Sequence, residues 1–89
     1  MTRWYVYLVR CSDNSLYCGS TIDLERRVQE HNEGVGSRYT RSRRPVNLVW
    51  SSWAPSKSHA YSEEYRIKRM KKAAKEALVA ERIEGVRIA

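Results

Sequence analysis

The sequence predicts an α+β domain. Three observations support this: an alternating run at Trp4–Val9, a polar turn leading into a second short strand, and helix-capping residues followed by amphipathic spacing. The order strand, strand, helix, strand, then one or two helices fits a layered architecture in which helices cover a sheet.

Trp4, Val6 and Leu8 fall on one side of the first strand, and Tyr5, Tyr7 and Val9 on the other. Ser12-Asp13-Asn14-Ser15 has the composition of a tight turn. Leu16-Tyr17-Cys18-Gly19-Ser20 then reads as the second arm of a β-hairpin. Thr21 or Asp23 caps a helix that is expected to run to about Asn32. Leu24, Arg27, Val28 and His31 share its inner stripe. Arg27 is either a snorkelling edge residue or a functional guanidinium turned toward the hairpin.

Gly34-Val35-Gly36 is a flexible joint, and Ser37–Arg44 reads as a loop. That loop holds Arg38, Tyr39, Arg41, Arg43 and Arg44, and no acidic residue occurs between Glu33 and Glu63. Arginines among hydroxyls with one aromatic suit phosphate contacts and the stacking of a base. Pro45 precedes a third strand from Val46 to about Trp53, with Val46, Leu48 and Trp50 on one face. Ser56 or Ser58 caps a helix running to about Lys71. Ala60, Glu64 and Ile67 share a face there, while Glu63 lies about 100° away, and periodicity leaves open which carboxylate turns inward. Lys72 to Arg82 is strongly helix-forming, and no Gly or Pro decides between one long helix and two. Gly85 is expected to end it, leaving residues 85–89 as a short tail to a domain of residues 1–84.

The chain has 89 residues, enough for one modest core, and a formal net charge of +7. Such an excess points to a polyanionic partner, nucleic acid first. Arg66 to Lys75 adds six cations with no acid between them. No run is long enough to span a bilayer, and the Trp4–Val9 run is too short for a signal segment. A cytoplasmic protein with no membrane partner is the expectation. Cys11 and Cys18 suit small buried hydrophobes better than a disulfide framework or a zinc site.

These residues resemble the GIY-YIG nuclease family, in particular its small stand-alone bacterial members. Tyr5-Val6-Tyr7 corresponds to the first family tripeptide, and Tyr17-Cys18-Gly19 to the second. Arg27, eight residues after Gly19, stands at the family arginine, and His31 where the family carries His or Tyr. Glu64 matches the metal-binding glutamate. Tyr5 replaces the first glycine, and Cys18 replaces the usual isoleucine.

The resemblance implies a three-stranded antiparallel sheet flanked by helices, with the third strand beside the first and Trp4–Arg10 central. It implies a catalytic set of Tyr7, Tyr17, Arg27, His31 and Glu64, with one Mg²⁺ or Mn²⁺ at Glu64. The nucleic-acid contacts are then Arg38, Tyr39, Arg41, Arg43, Arg44 and Lys68. The implied reaction is phosphodiester hydrolysis in DNA, including branched or damaged DNA. Tyr7 is the favoured base, with Tyr17 as the competing choice. A nucleic-acid-binding module of the same fold with little cleavage, acting on RNA, is the alternative. A protein-binding adaptor fits the +7 charge poorly. Larger family enzymes carry an extra domain that selects the target, and these residues leave substrate shape and oligomeric state open.

Overall fold

The computed structural model describes the backbone of residues 3–88 and the side-chain environments of residues 3–81. Met1, Thr2 and Ala89, which the expected domain and tail include, lie outside the described residues. The elements in chain order are β1 (Trp4–Arg10), β2 (Leu16–Thr21), α1 (Leu24–Glu33), α2 (Arg38–Arg41), β3 (Asn47–Ala54), α3 (Lys57–Lys68) and α4 (Lys72–Ile88). The sheet is antiparallel in the order β2-β1-β3, so β1 is central, as expected.

β1 has no solvent face. Val6 and Leu8 join Leu16, Cys18, Ala54, Ala60, Ile67 and Val79 in one core. Tyr7 and Val9 join Cys11 and Val46 in a second, covered by Leu24 and Val28 of α1. The alternation seen in the sequence thus separates two buried sides, each with its own helical cover. Cys11 and Cys18 are free and buried, one in each core.

The hairpin turn is built as its composition suggests. Asn14 takes a left-handed φ of 70°, which Asn tolerates better than most residues. The Asp13 carboxylate accepts from the Ser15 N–H at 3.0 Å. Asp23 is the N-cap of α1, accepting from the Arg26 N–H at 3.1 Å, while Thr21 Oγ1 accepts from the Asp23 N–H. Gly34 closes α1 in the left-handed conformation (φ 87°).

The structure corrects three expectations and resolves one open choice. Residues 38–41 form a one-turn helix inside the expected loop, because the Ser37 hydroxyl accepts from the Thr40 N–H and nucleates the turn. Four residues are too few to show helical periodicity in a sequence.

The expected face of Val46, Leu48 and Trp50 does not exist. Leu8 pairs with Trp50 but Val9 with Leu48, so Val49 is an extra residue in a β-bulge. The bulge turns Leu48 outward (41% exposed) and lets Val49 and Trp50 both lean on the first core.

The choice between one terminal helix and two resolves as two. Ser56, not Ser58, caps α3, and the chain breaks after Lys68. Ile67 and Val79 belong to the same core, yet a straight helix would separate them by about 18 Å along its axis. The break folds them together.

Finally, the backbone stays helical through Gly85 to Ile88, where a stop was expected. Glycine lowers helix propensity by only ~1 kcal/mol and does not by itself end a helix.

Asn32, at the end of α1, grips both backbone groups of the buried Val46. Its Oδ1 accepts from the Val46 N–H at 2.7 Å, and its Nδ2 donates to the Val46 carbonyl at 3.0 Å. This side chain fixes where β3 begins relative to α1. Asn32→Ala removes the partner of both groups at a partly buried place, and a loss of about 1–3 kcal/mol is expected. Urea unfolding of the two proteins measures it; a change below ~0.5 kcal/mol would mean that water replaces the amide.

Candidate active site

The site begins at a close approach across the hairpin. Gly19 pairs with Tyr7, and the Tyr7 ring lies over the glycine. A Cβ at Gly19 would collide with the phenol hydroxyl, so glycine is required here by space and not by backbone angles. Gly36 does the same for His31: a Cβ there would strike the imidazole and its backbone.

Tyr7 is 1% exposed, and its hydroxyl oxygen lies 2.8 Å from His31 Nε2. His31 is fully buried, and its Nδ1 lies 2.8 Å from Thr40 Oγ1. Thr40, also buried, meets Ser37 Oγ at 2.8 Å and the Ser37 carbonyl at 3.4 Å. Two opposite arrangements of protons satisfy the row; in the one that leaves the Tyr7 oxygen able to accept from the cleft, Tyr7 donates to Nε2, Nδ1–H donates to Thr40, and Thr40 donates to Ser37. Burial pushes the Tyr7 phenol up to about 12, partly opposed by the Arg27 guanidinium. Burial, aided by Arg27, pushes the His31 imidazolium below its usual range. Both shifts favour a neutral phenol on a neutral imidazole.

In front of Tyr7 opens a cleft of about 440 Å³, lined by Tyr7, Tyr17, Gly19, Ser20, Arg27, Tyr61, Glu64, Tyr65 and Lys68. Arg27 is braced, donating to Glu30 at 3.0 Å and to the Gly36 carbonyl at 2.8 Å. Tyr17 presents its ring edge-on to His31 at 5.4 Å and stacks on Tyr39 at 5.6 Å. Tyr17 pairs with Val9, so it stands diagonally beside Tyr7 on one face of the sheet. Glu64 arrives from the opposite face. Its Oε1 accepts from Ser20 Oγ at 2.6 Å, and its Oε2 pairs with Lys68 Nζ at 2.7 Å. The cleft therefore straddles the edge strand β2, with residues from both sides of the sheet meeting across it.

Of the expected set, Tyr7, Tyr17, Arg27, Glu64 and Lys68 line the cleft, and His31 stands behind Tyr7. Glu63 is turned away, tied to Arg66 at 2.6 Å, which resolves the choice between the two carboxylates. The basic segment divides. Arg43 lies 3.8 Å over the Tyr39 ring and binds Asp13 and the Tyr39 carbonyl. Arg44 donates to the Arg41 carbonyl. These two hold the loop together. Arg38 and Arg41 are exposed, with no carboxylate partner among the described residues.

Ser20, Gly36, Thr40, Tyr61 and Tyr65 were not among the sequence candidates. One signal was available: Tyr61, Glu64, Tyr65 and Lys68 follow helical spacing and form the cleft-facing stripe of α3. Ala60 and Ile67 lie beside that stripe and enter the core, so Glu64 sits at the margin of the face assigned to it. Among the described residues, no three His, Cys, Asp or Glu side chains cluster as a metal cage.

His31 has a stability consequence. Its pKa in the fold lies below the ordinary 6.5, so the unfolded chain takes up the proton first. Stability is expected to fall as pH drops below about 6.5, with a slope of at most ~1.4 kcal/mol per pH unit from this residue. Urea unfolding between neutral and mildly acid pH should show a shallower acid loss for His31→Gln. Identical pH slopes would mean that the fold accommodates the imidazolium.

The family model described as GIY-YIG catalytic domain matches residues 3–77. A UPF0213 protein of Vibrio cholerae is 53% identical over 78 residues, covering 86% of this chain and 77% of that protein. A UPF0213 protein of Halobacterium salinarum is 51% identical over 74 residues, covering 83% and 96%. The solution NMR structure of a UPF0213 protein from Bacillus halodurans aligns with a TM-score of 0.57 at 42% identity, covering 88% of this chain and 83% of that one. No helix among the described residues is long and apolar enough to cross a membrane. The chain, with its two tyrosines, arginine and glutamate set around one cleft, belongs to the GIY-YIG family, a family of nucleases.

Proposed function

We propose that this chain is an endonuclease that hydrolyses phosphodiester bonds in DNA, with RNA as the second candidate, using one Mg²⁺ or Mn²⁺ at Glu64. The observation that carries the reading is the convergence of Tyr7, Tyr17, Arg27 and Glu64 on a single cleft. The donor set suits such an ion. Mg²⁺ is commonly held by one or two carboxylates together with waters and substrate phosphates, so a lone glutamate is sufficient. The Lys68 ammonium on Glu64 Oε2 marks where this carboxylate already receives a cation. When bound, the ion supplies Lewis-acid stabilisation of the phosphoryl oxygens.

The chain's own residues do the rest. Arg27 is permanently charged and braced by Glu30 and Gly36, so it meets the developing charge without reorganising. Tyr7 is a poor phenolate, since burial raises its pKa to about 12. It works as a relay. Its oxygen accepts the proton of the attacking water as its own proton passes to His31 Nε2, 2.8 Å away. The water oxygen bonds to phosphorus, the bond to the leaving oxygen breaks, and that oxygen takes a proton from solvent. His31 begins neutral, as this step requires. Tyr17 borders the phosphate position and orients it.

A second reading has one observation in its favour. Both oxygens of Glu64 are already engaged, by Ser20 and Lys68. A chain that kept this pair would bind nucleic acid without cutting it. Cleavage assays with Mg²⁺ or Mn²⁺ on duplex, single-stranded and branched substrates separate the readings. Glu64→Ala is expected to abolish cleavage and keep binding, and Glu63→Ala to stay within about threefold of wild type, given its exposed pairing with Arg66. Binding in EDTA with no cleavage under any condition would favour the binding module.

Removing single hydroxyls tests the relay. Tyr7→Phe is expected to lose ~10²–10⁴ in single-turnover rate, the range for a positioned proton-transfer group. Tyr17→Phe should lose less. In wild type the rate should fall on acidification with a midpoint below 6.5, as His31 becomes charged. Equal losses in the two Phe variants would remove the distinction between relay and orienting phenol.

A further inference from the structure

A second groove lies beside the cleft, and the proposed reaction does not use it. It has a volume of about 190 Å³ and is lined by Ser15, Leu16, Tyr39, Lys72 and Lys75. Tyr39 forms its wall and stacks on Tyr17, which borders the cleft. The stacked rings thus connect the two depressions across one surface.

One charge here is not explained by folding. Lys72 and Lys75 stand in the first turn of α4, which carries no acidic residue. Cations at a helix N-terminus oppose the macrodipole and weaken the helix. Lys72 is compensated by Glu76 at 2.5 Å, which also holds Arg10. Lys75 has no carboxylate partner among the described residues, although it is half-buried at the groove. An uncompensated ammonium beside a second lysine, in a groove of mixed polar and apolar lining at the first turn of a helix, attracts an anion.

We propose that the groove between α2 and α4 is a phosphate subsite, in which Lys75 holds a backbone phosphate of the nucleic acid beside the one placed for cleavage. This rests on the nuclease reading, and it adds a direction: the strand leaves the cleft over Tyr17 and Tyr39 toward α4. Lys75 contacts phosphate and reads no base. The Tyr39 ring is packed between Tyr17 and the Arg43 guanidinium, so the strand passes the exposed edge of this residue (37%) between the two phosphates.

The test measures binding in EDTA, so that cleavage does not enter, on the DNA form that wild type cuts with metal. Lys75→Gln is expected to weaken binding and to lower the log–log salt slope by about 0.9, the value for one phosphate on duplex DNA, or about 0.7 on a single strand. Lys75→Arg should keep the wild-type slope. Unchanged melting temperatures would show that both variants fold. Single neutral methylphosphonate linkages, walked along the strand, then locate the phosphate. One position beside the cut should weaken wild-type binding and have no effect in Lys75→Gln. If wild type binds and cuts but Lys75→Gln keeps both slope and linkage profile, the subsite is wrong and the nuclease reading stands. If wild type cuts no DNA with metal and binds none in EDTA, both fall; if it cuts but binds none in EDTA, the subsite falls and the nuclease reading stands.

Discussion

The hydrogen bond between Tyr7 and His31 is the constraint on which the other parts of the site depend. It lies in the interior, where an unmet hydroxyl or ring nitrogen would cost about 1–3 kcal/mol. Satisfying it requires α1 to sit at one height over β1, and Gly19 and Gly36 to lack side chains. It also requires Thr40 to complete the row from α2. The one-turn helix α2 therefore has a purpose beyond closing a loop: it delivers the hydroxyl that orients the imidazole. Arg27, one turn before His31, inherits its position from the same helix placement.

The reach of α3 across β2 is the second constraint. Glu64 belongs to the helical layer on one side of the sheet, and Arg27 to the layer on the other. They can share a cleft only where the sheet ends. β2 is that end, and Ser20 on β2 is the hinge of the contact, binding Glu64 while its neighbour Gly19 faces Tyr7. The antiparallel order with β1 central is what makes this possible.

The fold was legible where local signals were strong. Alternation in Trp4–Val9, the Asp13-Asn14 turn, and the caps at Asp23 and Ser56 all correspond to elements in the structure. The bulge at Val49 was not legible, because it comes from fitting Val49 and Trp50 into one core, which is a tertiary demand. The α3–α4 break has the same cause. In the site, Tyr7, Tyr17, Arg27 and Glu64 could be named because motif spacing carries them. Ser20 and Thr40 could not, since a single hydroxyl gains meaning only from a partner far along the chain. The arginines of residues 38–44 looked alike in sequence; packing on Tyr39 and Asp13 separates the structural Arg43 from the exposed Arg38 and Arg41.

A small sheet with one edge committed to a cleft must also protect the other. β3 forms that edge and exposes Leu48 and Trp53 (41% and 57%). A flat edge strand of this composition would invite a neighbouring chain to extend the sheet. The extra residue at Val49 breaks the regular register of β3 and increases the local twist. The kink that packs the core thus also makes this edge a poorer template for a further strand. A deletion that straightened β3 should cost solubility even if every residue of the cleft kept its place.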